Sequence, residues 1–420
     1  MRNLRTVIAR GWTAAGSLLC AAVLLASAGP VSAALRAQGS SAAAASVDVP
    51  VPPQYAALDA RVAAGLGAFS STIAHMAPLH RRGPPISKTL GWAELLVANG
   101  NRQGALLDPS TMASVDVNLR ALKRLGVGGV VLGIKLPLLV ASYQPRAADY
   151  ADFYATVARH ARALGFGVDV ELSAMFCGTI YAQCSYQYPD SVSAWAELTA
   201  EQARTVINRV HPGWLDLISE PDTEAALTGI TALDTKSGLV SFVTAAVHDV
   251  GRHGSTKLVA GAASWYGSDW DQALAATPID ALVTHIYPAT AGTAANLVRT
   301  AQIAKRAGKP LVADEMWLYK AVPTLSGGVA ASSQEGALAT YSFWEPLDVR
   351  FVRAVRQWAT KAGVVFVSGF WSQLAFAYVT WTAPAGSRPA AQQVAASAQA
   401  AGQAMVAGTS TLTGRALIGR

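Results

Sequence analysis

Short apolar runs rich in β-branched residues alternate with longer helical stretches between residues 87 and 410, which predicts an α/β chain folded as one (β/α)8 TIM barrel. Three observations carry this expectation. The runs are nearly continuous in apolar residues, as parallel strands buried on both faces are. Several begin just after a glycine that can end the preceding helix, as in Leu164-Gly165-Phe166-Gly167 and Ala307-Gly308-Lys309-Pro310. No G-x-G-x-x-G or Walker loop follows an early run, which disfavours the open doubly wound sheet.

The elements follow in order. Residues 1–33 read as a secretory signal peptide: Arg2, Arg5 and Arg10 precede an apolar run from Thr13 to Ala28, and Val31-Ser32-Ala33 offers a small-residue exit before Ala34. That run is Ala-rich and shorter than the roughly 20 residues of a membrane span, and Leu19 before Cys20 is the wrong neighbour for lipid attachment. Residues 34–86 read as a linker or extension, rich in Ala, Ser, Val and Pro up to residue 55. One helix over 56–76 is spaced by Leu58, Val62, Leu66, Phe69 and Ile73, and His80-Arg81-Arg82-Gly83-Pro84-Pro85 then breaks the chain. The barrel is expected over 87–410. Its strands are read near 89–96, 127–137, 167–174, 214–219, 257–263, 281–287, 311–316 and 363–370. Its helices are read near 112–125, 147–164, 192–210, 239–253, 268–277, 292–307, 346–362 and 389–407, and residues 411–420 are read as a tail.

Charge and cysteines narrow the setting. Loss of the leader removes three arginines and no acid, taking the formal charge from +7 to +4. No Lys/Arg stripe interleaved with aromatics remains, so nucleic acid is not an expected partner, nor is a membrane once the leader is gone. Cys177 and Cys184, in C-G-T-I-Y-A-Q-C, read as a local disulfide of an oxidising compartment, so the chain is expected to be secreted or periplasmic.

In such a barrel, chemistry sits where the strands end. Those ends collect residues that burial alone would not select: Lys135, Glu171, Ser219-Glu220-Pro221-Asp222, Ser264-Trp265-Tyr266, His285-Ile286-Tyr287, Asp314-Glu315-Met316-Trp317 and Phe370-Trp371. Glu220 and Glu315 close strands 4 and 7, which lie across the mouth from one another. Glycoside hydrolysis requires two such carboxyl groups, one to protonate the leaving oxygen and one to attack or stabilise the anomeric carbon. Glu315 in an otherwise apolar strand is costly as a structural residue. For Glu220 the structural alternative is a surface turn before Pro221, with Asp222 and Glu224 as competitors. Trp265, Trp317 and Trp371 suit stacking on sugar rings, though each could equally fill core. His285 reads as a sugar contact or a supporting histidine. Lys135 and Glu171 are candidate subsite residues, and Asp314 is read as pointing behind the strand, since neighbouring side chains alternate. The loops 174–190 and 318–345 are expected to shape the cleft, the second as a flap.

Together these residues resemble clan A of the glycoside hydrolases, retaining barrel enzymes with the acid/base on strand 4 and the nucleophile on strand 7. The resemblance spans roughly residues 87–385 and implies Glu220 as acid/base and Glu315 as nucleophile, 95 residues later. It also implies Tyr287 as the hydroxyl holding the nucleophile and Trp371 as the floor of the sugar subsite. The sequence departs from the clan at Ser219, where an asparagine would contact the sugar 2-hydroxyl. The function so implied is a secreted retaining glycosidase acting on a poly- or oligosaccharide, with no cofactor and no metal. Two alternatives stand beside it: a divalent-metal-dependent sugar-processing barrel using Glu220, His285 and Glu315 as ligands, and a disabled barrel that binds carbohydrate. Against the metal reading, no H-x-H or H-E-x-x-H pattern occurs.

Overall fold

A computed structural model describes residues 49–79, 90–320 and 337–420. The leader, the break at 80–85 and the middle of the 318–345 loop lie outside the described residues. Eight strands, β1 (Gly91–Glu94), β2 (Gly129–Leu136), β3 (Gly167–Ala174), β4 (Trp214–Asp216), β5 (Lys257–Gly261), β6 (Ala281–Ile286), β7 (Leu311–Met316) and β8 (Val367–Gly369), form a closed barrel. All pair in parallel and in chain order, and β8 returns to β1 through Gly91↔Val367. The protein is a (β/α)8 barrel.

The floor is built by one bulky side chain and two missing ones. Trp92 of β1 turns inward and stacks on Phe366, ring centroids 3.9 Å apart, in a cluster with Val131, Val259, Val283 and Val312. Gly129 and Gly167, which face each other at the start of β2 and β3, leave the space it fills. A Cβ on either would lie 2.3 Å or 2.5 Å from the indole.

The helices wrap this barrel. The α-helices of six or more residues, among the described residues, are α1 (Ala56–His75), α2 (Pro109–Leu125), α3 (Ala147–Ala163), α4 (Val192–Arg209), α5 (Pro221–Thr228), α6 (Lys236–Val250), α7 (Ser268–Ala275), α8 (Ala291–Ala307), α9 (Glu345–Ala362), α10 (Ala390–Ala407) and α11 (Leu412–Leu417). The short α5 is an element the periodicity did not reveal. Pro221 starts it at a position where a missing N–H costs nothing. The strand read at 363–370 is shorter at its start, because Gly363 is the left-handed cap of α9, φ 74°.

The first helix described and the C-terminal residues are tied to the barrel. α1 buries Leu66, Phe69 and Ile73, sets Phe69 5.9 Å from Phe351 of α9, and receives Lys361 Nζ on the carbonyls of Ile73 and Ala74. Residues 411–420 are not the tail read from the sequence. α11 covers the seam between β8 and β1, where Leu417 O accepts from Arg356 and Leu412 N donates to Glu345 Oε1. Its Leu417 and the Ile418 that follows it are buried, and two residues of that kind were too short a signal for periodicity.

Among the described residues no helix is long and apolar enough to cross a membrane. Cys177 and Cys184 form a disulfide, closing a loop that leaves the end of β3.

Candidate active site

The carboxylates converge where β4, β6 and β7 end. His285, 2% exposed on β6, sits between them. Its Nδ1 lies 2.7 Å from Glu220 Oε1 and 4.0 Å from Glu315 Oε2. Glu220 Oε1 and Glu315 Oε2 are therefore no farther apart than the sum of those distances, so both carboxyl groups face one point beside His285. Glu220 Oε2 accepts a second hydrogen bond from the Thr223 hydroxyl at 2.7 Å, supplied by the first turn of α5. For Glu315 no hydrogen bond occurs among the described residues. Burial pushes its carboxyl well above the usual glutamate range, His285 opposes that rise, and Glu220 and Glu171 reinforce it. Burial works against charge on His285, but Glu315, Asp314 and Glu220 outweigh it and raise the imidazole well above its ordinary value.

β1, β2 and β3 add a second cluster. Lys135 Nζ donates to Glu171 Oε1 at 2.9 Å and to Ser173 at 2.6 Å, and lies 5.6 Å from the Phe176 ring. Burial raises Glu171, but Lys135 and His285 prevail and bring it below its usual range. Glu94, held by Asn99 at 3.2 Å, is pushed up to about 8 by burial and then by Glu171. Glu94 was missed in the sequence, although a carboxylate in the apolar β1 carries the same signal as Glu315 in β7.

Aromatic side chains wall the mouth. Trp265, Tyr287, Trp317 and Tyr319 follow one another at centroid spacings of 4.7, 5.3 and 5.1 Å, and Trp371 stands edge-on to Trp317 at 6.2 Å. All the predicted aromatics are thus brought together. Tyr287 packs within this wall, and no hydrogen bond from its hydroxyl to Glu315 occurs among the described residues.

Two placements, Ser219 and Asp314, depart from the sequence reading. Ser219 is buried and its hydroxyl donates to Asp216 inside the barrel, so the position taken for a sugar contact serves the interior. The competing acids are engaged elsewhere: Asp222 accepts from Trp265 Nε1 at 3.2 Å, and the buried Glu224 accepts from Ala174 N at 2.8 Å. Asp314 does not point behind the strand. Between Val283↔Val312 and His285↔Glu315, β7 uses one more residue than β6, and that irregularity breaks the alternation. Both Asp314 and Glu315 consequently reach His285, at 3.3 Å and 4.0 Å.

Among the described residues two groups could each offer a metal ion three ligand atoms within 4.8 Å: Glu171, His285 and Glu315, and Asp216, His285 and Asp314. The set Glu220, His285 and Glu315 read from the sequence is neither of them.

No protein-family model matches the sequence, and no curated protein matches it. Solved structures resemble it in shape. An exo-β-1,4-mannosidase from Opitutaceae bacterium strain TAV5 aligns over 66% of this chain and 51% of its own, at 14% identity and a TM-score of 0.48. This chain therefore spans about half the length of that protein. A GH5 xyloglucan-specific β-1,4-glucanase from a ruminal metagenomic library aligns over 76% and 95%, at 12% identity and TM-score 0.48. The Ignisphaera aggregans GH53 catalytic domain aligns over 72% and 88%, at 15% identity and TM-score 0.43. The likeness is one of fold, and the chemistry of the mouth rests on this chain's own residues.

Proposed function

We propose that this protein is an exported retaining glycoside hydrolase of the clan A kind, cleaving O-glycosidic bonds of a poly- or oligosaccharide. The observation that carries the proposal is His285, which stands between Glu220 and Glu315 in an aromatic-walled mouth. In the first step Glu315 attacks the anomeric carbon, while Glu220 gives its proton to the glycosidic oxygen as the bond to the leaving sugar breaks. Glu220 then takes a proton from water, whose oxygen displaces Glu315 from the same carbon and restores both groups. His285 stands beside Glu315 and orients Glu220 through Nδ1. Trp371, Trp317 and Trp265 offer faces for sugar rings, and Glu171, paired with Lys135, lies within 4.8 Å of His285 and Glu315. The leader at 1–33 directs export, with Ala34 as the first mature residue.

A second reading, a barrel that binds carbohydrate without turnover, is favoured by one observation. Both oxygens of Glu220 already accept hydrogen bonds, so one must be released before the carboxyl can serve a leaving oxygen.

The two readings separate on purified enzyme and aryl glycosides. Glu315→Gln is expected to lower kcat by ~10³-fold or more, and Glu220→Gln to do so by ~10²–10⁴-fold, less where the leaving group is a good one. Product anomers followed by NMR should keep the substrate's configuration. Turnover unchanged in Glu315→Gln would reject the assignment, while sugar binding with no turnover in the wild type would establish the second reading.

A further inference from the structure

Below the active site the barrel interior holds a second group of titratable side chains that the proposed hydrolysis does not use. Gly167, Trp214, Val312 and Phe366 face the floor, and the residues two further along each chain are Asp169, Asp216, Asp314 and Ser368. Period two therefore stacks three aspartates and a serine directly above the aromatic floor. Asp169 and Asp216 are fully buried and Asp314 is 2% exposed. Among the described residues, both oxygens of Asp169, both of Asp314 and the Ser368 hydroxyl find no hydrogen-bond partner. His285 Nε2 reaches down to 3.3 Å from Asp314 Oδ1. Among the described residues none of the three aspartates is paired with a lysine or arginine.

Such a group cannot stay as bare carboxylates, because burial and mutual repulsion both oppose charge. Either protons or a cation must neutralise it. The donor set points to the cation. Asp216, His285 and Asp314 converge within 4.8 Å, and one imidazole among carboxylates matches first-row divalent ions better than Ca²⁺ or Mg²⁺, which favour all-oxygen shells. The other ring nitrogen of His285 lies 2.7 Å from Glu220, the carboxylate–histidine–metal arrangement that fixes a ligand's tautomer.

We propose that Asp216, Asp314 and His285 Nε2 bind one divalent ion of the Zn²⁺ or Mn²⁺ class, with Asp169 completing its charge. The ion takes the place of the Nε2 proton and leaves Nδ1–H directed at Glu220. Only this last consequence rests on the hydrolase reading, since ion binding itself needs no substrate.

The test uses the full mature chain, stripped with EDTA and titrated with ZnCl2 or MnCl2. Calorimetry should show one saturable site per chain, and thermal unfolding should move up by several degrees at saturation. Asp314→Asn and Asp169→Asn should each weaken binding at least tenfold. If Asp314→Asn does not fold, X-ray absorption of the zinc-loaded wild type provides the second readout, with one imidazole and oxygen neighbours expected. No saturable binding of either ion, or a coordination shell without imidazole, would overturn the proposal. A chain that binds the ion yet hydrolyses no glycoside would leave this site intact and reject only the hydrolase reading.

Discussion

Glu315 is the residue whose surroundings constrain the chemistry most. It is buried, has no hydrogen-bond donor among the described residues, and is raised first by desolvation. An attacking carboxylate must be ionised, so activity is lost as pH falls through that raised value. The acid limb of kcat/KM is therefore expected above the ordinary glutamate value of about 4.3, and a limb at or below about pH 4 would contradict the role. In protein stripped of metal, His285, also raised, loses its charge only well above its ordinary value, so there the alkaline limb should lie on the basic side of about pH 6.5. Glu220, His285 and Glu315 were legible in the sequence because charged groups ending apolar strands have few structural explanations. Whereas Asp169 sits near the start of β3, Glu94 and Asp216 obey the same rule and could have been found by it. The side on which Asp314 lies could not, because a one-residue irregularity in β7 resets the alternation and depends on how β7 pairs with β6.

Among the elements, β1 to β3 show how a glycine can be as specific as a catalytic residue. Gly129 and Gly167 leave room for the indole of Trp92, and the indole in turn closes the floor beneath the buried aspartates. Gly129→Ala is expected to destabilise the fold by about 1–3 kcal/mol through overpacking, read from the urea midpoint at unchanged slope. A substitution that left the midpoint unchanged would mean that the floor relaxes at no cost. The short α5 has a comparable local role, since Pro221 starts a turn that brings Thr223 to Glu220 and Glu224 to the end of β3. Long helices and strands were legible from period and composition. α5 and α11 were not, because six to eight residues carry too little periodic signal and their stability comes from what they dock against.

At the scale of the whole molecule, the export proposed above and the Cys177–Cys184 disulfide belong to one account. Intact-mass measurement of the protein recovered outside a bacterial cytoplasm should give a chain starting at Ala34 and two hydrogens lighter than its reduced form, as the Cys177–Cys184 bond requires. Retention of residues 1–33, or two free thiols, would contradict that account. The sequence by itself determined the eightfold alternation, the strand ends that bear carboxylates and aromatics, and the cysteine pair, because each is a local property of composition and spacing. Only the tertiary structure decided that Ser219 serves the interior, that Asp314 joins His285, and that α11 covers the barrel seam. These depend on register, on strand irregularities and on contacts between residues far apart in the chain. Burial then sets the charge of the groups so assembled, and burial exists only once the barrel has closed.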